Sequence, residues 1–130
     1  MTLEEEWRGS GKVLVIDDEE VVRSVTKQAL SRRGFQVLTA ENGEEGLERF
    51  HKDESDIVLV LLDMTMPGMN GIEVLEKLRM VNEHVPVLLS SGYTENYSKT
   101  TNREAQNTAF LQKPYPPNAL LKMIRGLLKS

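Results

Sequence analysis

Five short apolar runs recur along the chain, and between them the hydrophobic spacing turns from that of a strand to that of a helix. Lys12 to Ile16 is apolar, rich in β-branched residues, and stops at Asp17. A parallel strand covered on both faces need not alternate, so this run predicts a buried central strand. Glu19 to Arg33 then carries Val22, Val25 and Ala29 at helical spacing, and Gly34 follows as a stop signal. Phe35 to Thr39 predicts the second strand, and Glu44 to His51 a short helix with Leu47 and Phe50 inward. Gly46 costs that helix about 1 kcal/mol against alanine. Ile57 to Leu62 is the strongest strand signal, and it ends at Asp63. After a loop, Asn70 is placed to cap a helix over Ile72 to Met80, with Ile72, Leu75 and Leu78 inward. Val85 to Leu89 predicts the fourth strand, with Pro86 near its start where a missing donor does least harm. The polar stretch Thr94 to Gln106 predicts a helix, and Ala109 to Gln112 a brief fifth strand. Pro116-Pro117 opens a last helix whose Leu120, Ile124 and Leu127 line one side.

Strand and helix thus alternate five times, which predicts an α/β fold with a parallel sheet and helices on both faces. At 130 residues the chain has room for one domain. Residues 1–11 read as a linker or flexible tail, with glycines and a serine but no periodicity, and 12–130 as the domain. The absence of cysteine excludes disulfides and thiolate metal sites. The longest apolar run is far too short to span a bilayer, and the acidic start Met1 to Trp7 lacks the features of a signal peptide. A cytoplasmic location is the expectation. A net charge of −4 without a Lys/Arg block argues against direct nucleic-acid binding, and no direct membrane contact is expected.

In open parallel sheets, ligands bind beyond the carboxyl ends of the strands. The chain puts its chemistry there: Asp17 and Asp18 after the first strand, Asp63 after the third, Ser90 and Ser91 after the fourth, Lys113 after the fifth. Three carboxylates brought together repel and call for a cation or a shared proton. Oxygen donors without His or Cys favour Mg²⁺, with Mn²⁺ next, over zinc. Lysine offers a point charge and serine a hydroxyl to phosphoryl oxygens, and a carboxylate beside the metal is a nucleophile for an acyl phosphate. The pattern suits phosphoryl transfer to an aspartate by positioning and charge neutralisation. His51 and His84 lie outside it, and Met64, Met66 and Met69 read as loop packing.

These motifs resemble, in order and over about Lys12 to Leu128, the receiver domains of bacterial two-component signalling. Val13 to Glu20 is similar to the family's acidic-pair opening, and Leu61 to Gly71, with Met66-Pro67, to its phosphoacceptor loop. Ser91-Gly92 and Lys113-Pro114 match the hydroxyl and lysine positions. The resemblance implies a flavodoxin-like sheet of strand order 2-1-3-4-5 and a switch operated by phosphorylation of Asp63 from a partner's phosphohistidine. It implies that Asp17, Asp18 and Asp63, with the backbone carbonyl of Thr65, hold Mg²⁺. Ser91 and Lys113 would hold the phosphoryl group. Phe110 occupies the aromatic switch position and lacks the hydroxyl a tyrosine would bring. Thr65 and Tyr93 would sit on the rim of the pocket and tune the access of water. The implied partners are a histidine kinase or a histidine phosphotransfer protein. A downstream target would dock on the strand-5 face, bordered by Tyr97 and Tyr115. Glu5 to Val13 also resembles the linkers that lead into the C-terminal receiver of hybrid sensor histidine kinases.

A phosphatase that forms an aspartyl phosphate would need a second acid two residues after the nucleophile, where this chain has Thr65. A flavin-binding module would leave three acids and a lysine unexplained. The domain is therefore expected to catalyse its own phosphorylation without turning over an external substrate.

Overall fold

The β-branched and leucine-rich runs over 12–16, 57–63 and 87–91 form strands because nearly every residue in them is buried, on one face of the sheet or the other, whereas the two outer runs, 36–40 and 108–112, are mostly half-buried. The computed structural model describes residues 8–92 and 107–129. Strands β1 (Lys12–Ile16), β2 (Gln36–Ala40), β3 (Ile57–Asp63), β4 (Val87–Ser91) and β5 (Thr108–Gln112) make one parallel sheet in the order β2-β1-β3-β4-β5. The helices are α1 (Glu20–Ser31), α2 (Gly43–Asp53), α3 (Gly71–Val81) and α4 (Pro117–Lys129). The helix expected over Thr94 to Gln106 lies outside the described residues, as do Trp7, Tyr93 and Tyr97.

Two cores flank the sheet. Leu14, Ile16, Val60, Leu62 and Leu89 meet Phe50 of α2 and Val74, Leu75 and Leu78 of α3 on one face. Val13, Val15, Leu59, Leu61 and Leu88 meet Leu30 of α1 and Leu120 and Ile124 of α4 on the other. The alternation hidden inside each apolar run is thus a division between two cores. Met64 and Met66 are buried in the first core and Met69 packs against it, as expected of loop packing.

The starts of α2 and α3 are capped by asparagine. Asn42 Oδ1 accepts from Glu45 N at 2.8 Å, and Asn70 and Glu73 form a reciprocal capping box at 3.0 and 3.3 Å. The inward face of α1 departs from the expected one. Thr26 and Leu30 are buried, whereas Val25 is 49% exposed and Val21 73% exposed. A buried threonine needs a partner for its hydroxyl, and Thr26 has one in the Tyr115 side chain. That partner lies on another element, so the spacing within the helix does not reveal it.

Arg79, on the buried side of α3, ties the amino ends of β4 and β5 together. Its guanidinium donates to Val85 O at 2.7 Å, Thr108 Oγ1 at 3.0 Å and Asn107 O at 3.3 Å. Ahead of β1, Arg8 Nη1 donates to Arg32 O at 2.6 Å and Gly9 N to Arg33 O at 2.7 Å. These bonds lay Arg8 and Gly9 along the end of α1.

Candidate functional site

The carboxyl ends of β1, β3, β4 and β5 converge, and the parallel register decides which residues meet. Asp63 lies opposite Ser90, Met64 N donates to Ser90 O at 2.8 Å, and Lys113 N to Ser91 O at 2.9 Å. Past β3 the chain turns back sharply. Gly71 N donates to Met64 O at 3.0 Å, and a Cβ on Gly71 would stand 2.4 Å from Met64 Cα. Only glycine allows α3 to begin this close beneath the acceptor loop.

Asp63 is 3% exposed and Asp17 2% exposed, while Asp18 and Thr65 face solvent. Asp17, Asp18, Glu19 and Asp63 each bring a carboxylate oxygen within 4.8 Å of the others. Lys113 Nζ lies among them, 2.9 Å from Asp17 Oδ2, 3.0 Å from Glu19 Oε1 and 3.4 Å from Asp63 Oδ2. Thr65 N donates to Asp63 Oδ1 at 3.1 Å, and the Thr65 and Ser91 hydroxyls lie 3.2 Å apart. Ser91 is fully buried. Ser90, its neighbour, instead lines a small cavity on the second-core side with Leu61, Leu88 and Tyr115.

Burial pushes the Asp63 carboxyl up from 3.8 to about 6; the Thr65 N–H opposes this, Asp17 adds to it, and Lys113 opposes it in turn. For Lys113, burial acts to lower the pKa, but hydrogen bonds to Asp17 and Glu19 and the charges of Asp17 and Asp63 outweigh it, so the net direction is upward. The ammonium stays charged and only partly offsets the acids. The donor set is all oxygen and hard, and it carries more negative charge than the lysine neutralises. Those are the properties of a divalent-cation site.

Each acid, the serine and the lysine singled out in the sequence therefore reach one place. Three partners were not foreseen. Glu19 pairs with Lys113, the Thr65 hydroxyl meets Ser91, and Thr26 meets Tyr115. Glu19 adjoins the acidic pair, which was the available signal; the other two contacts join residues on separate elements. Phe110 is half-buried against the first core. His51 and His84 are exposed and away from the cluster.

Beside the site, Val21, Val22, Val25, Thr26, Lys113 and Tyr115 line an open apolar groove of about 470 Å³. Among the described residues, no helix is long and apolar enough to cross a membrane.

The sequence model described as "Response regulator receiver domain" matches residues 13–125. Sporulation initiation phosphotransferase F of Bacillus subtilis is 32% identical over 117 residues, covering 90% of this chain and 93% of that one. The chain spans about half the length of the first curated relatives it matches, which are transcriptional regulatory proteins. Among solved structures, response regulator TrrA of Thermotoga maritima, in complex with Mg(2+)-BeF, superposes with a TM-score of 0.79 at 30% identity, over 91% of this chain and 99% of that one. The receiver domain of hybrid histidine kinase CckA does so with a TM-score of 0.77 at 33% identity, over 91% and 99%. Matched along nearly its whole length in sequence and in fold, the chain belongs to the response regulator receiver domain family, the phosphorylation-activated switches of two-component signalling.

Proposed function

We propose that Asp63 accepts a phosphoryl group from a phosphohistidine of a histidine kinase or histidine phosphotransfer protein. The observation that carries this is the placement of Lys113 Nζ within 3.4 Å of Asp63 and 2.9 Å of Asp17, inside a four-carboxylate cluster. An Asp63 oxygen forms the new bond to phosphorus as the phosphorus–nitrogen bond breaks, and the electron pair returns to the imidazole. Lys113 and Ser91 hold the phosphoryl oxygens. Asp17, Asp18, Asp63 and the Thr65 carbonyl would hold Mg²⁺, and Mn²⁺ meets the same donor preference. Such an ion, when bound, neutralises the acids and polarises the phosphoryl group.

The exposed valines of the groove beside Lys113 support the approach of a partner helix bearing the phosphohistidine. Output passes through the face around β5, where the half-buried Phe110 reports the state of Ser91. With a net charge of −4, the domain acts through protein partners, in the cytoplasm, without contacting nucleic acid or membrane directly. It catalyses its own phosphorylation and dephosphorylation and no external turnover. We place its start at Lys12, with residues 1–11 as a lead-in. The lead-in's sequence and the likeness to the CckA receiver support a place in a hybrid sensor histidine kinase.

Incubation with acetyl phosphate and Mg²⁺, read by intact mass, is expected to add one phosphoryl group that Asp63→Asn does not acquire. No added mass in the wild type, or the same mass gain in Asp63→Asn, overturns the assignment.

A further inference from the structure

Three acids face the Lys113 ammonium, and they are not held alike. Nζ lies 2.9 Å from Asp17 Oδ2, 3.0 Å from Glu19 Oε1 and 3.4 Å from Asp63 Oδ2. An ammonium has three protons to donate, so a phosphoryl oxygen that reaches Lys113 takes the place of one of these carboxylates. Asp63 is the acceptor and stays where the new bond forms. The Asp17 side chain is 3% exposed, and its other oxygen accepts from Glu19 N at 2.9 Å, which fixes it from both sides. Glu19 is the loose one. Its side chain is 59% exposed, and although it stands at the N-cap of α1 it makes no capping bond and turns to Lys113 instead. It can withdraw into water, whereas releasing Asp17 would leave a buried charge without its partner.

From this geometry we infer that Glu19 is a positioning residue that acts through Lys113, a latch for the resting state. It holds the ammonium while Asp63 is bare and yields it to the phosphoryl group as the bond from Asp63 to phosphorus forms. The ion pair is thus present before phosphoryl transfer and absent in the transition state and afterwards. An interaction lost on the way to the transition state slows that step, so Glu19 slows uptake and leaves hydrolysis of the aspartyl phosphate unchanged. The inference rests on the assignment of Asp63 as acceptor and of Lys113 as a holder of the phosphoryl group.

The test uses the full chain and its Glu19→Ala, Glu19→Asp and Glu19→Gln variants. Uptake from acetyl phosphate at saturating Mg²⁺, and loss after acetyl phosphate is removed with Mg²⁺ retained, are followed separately by intact mass. Glu19→Ala is expected to take up the phosphoryl group about 2- to 5-fold faster than the wild type, the range of one exposed ion pair, with its rate of loss unchanged. Glu19→Asp keeps the charge but is a methylene too short for Lys113, and is expected to match Glu19→Ala. Glu19→Gln keeps the length and weakens the ion pair to a neutral bond, so it should fall between Glu19→Ala and the wild type. Uptake by Glu19→Ala no faster than that of the wild type overturns the latch. Glu19→Asp at the wild-type rate overturns it in favour of plain repulsion between Glu19 and the incoming phosphate. An equal change in uptake and loss overturns it in favour of a general disturbance of the site. Failure of the wild type itself to take up phosphate would instead overturn the assignment of Asp63, and the latch with it. Thermal melts of each variant separate a change of rate from loss of fold.

Discussion

Asp63 shows what the site costs the fold. Burial, with a second carboxylate nearby, lifts its pKa from 3.8 to about 6, so between those values the folded chain holds a proton that the unfolded chain has released. Stability falls with rising pH wherever the native state binds more protons, so the Asp63 contribution declines from pH 4 to pH 6 and stays at its lowest above that. The penalty at neutral pH is on the order of 1–3 kcal/mol. Asp63→Asn is therefore expected to be more stable than the wild type at pH 7.5 without divalent cations. Urea unfolding across pH would show the gap closing towards pH 4, and added Mg²⁺ should narrow it at pH 7.5 by stabilising the wild type. A wild type more stable than Asp63→Asn at pH 7.5 in chelator would contradict this. Strand ends in a parallel sheet share one edge, which brought Asp17, Asp18, Asp63, Lys113 and the pair Ser90-Ser91 together in the sequence; the choice of Ser91 over Ser90 came with the family resemblance. Glu19 was not legible there. A glutamate at the start of a helix reads as a solvated charge, and at 59% side-chain exposure it largely is one, although its tip reaches Lys113.

At the scale of elements, strands were easier to read than helix faces. An apolar run buried on both sides leaves little ambiguity, whereas α1 mixes a buried threonine with exposed valines, and its orientation depends on Tyr115, a distant residue. Gly46 illustrates a different limit. Helix propensity counts it as a loss of about 1 kcal/mol, yet a Cβ there would lie 2.5 Å from Ile16 Cδ1 and 2.7 Å from Ile16 Cγ1. Ile16 is 0% exposed in the first core, so it has little room to withdraw. Overpacking of this kind costs about 1–3 kcal/mol, which exceeds the propensity gain. Gly46→Ala is thus expected to lower stability by about 1 kcal/mol net, and an increase in the urea midpoint would show that α2 moves off the sheet easily.

For the whole molecule, chemistry and cohesion occupy opposite ends of the sheet. The acids and the lysine gather at the carboxyl ends, while Arg79 gathers Val85, Asn107 and Thr108 at the amino ends. Arg79→Met removes the charge and leaves buried carbonyls without their donor, a loss on the order of 2–4 kcal/mol. The melting temperature should fall, while phosphoryl uptake per folded molecule, measured well below the melt, should match the wild type. A defect in uptake at that temperature would mean that the two ends are coupled. Alternation of strand and helix predicted the parallel sheet, but it does not order the strands; the order came with the family resemblance and holds in the structure. Between β3 and β4, pairing places Asp63 opposite Ser90 and so sets Ser91 beside Thr65. Side chains on a strand point to alternate faces. One residue inserted within β3 would carry the acceptor through to the wrong side, away from its lysine. Loops can vary in length without this penalty, so the spacing inside these two strands acts as the ruler against which the site is cut.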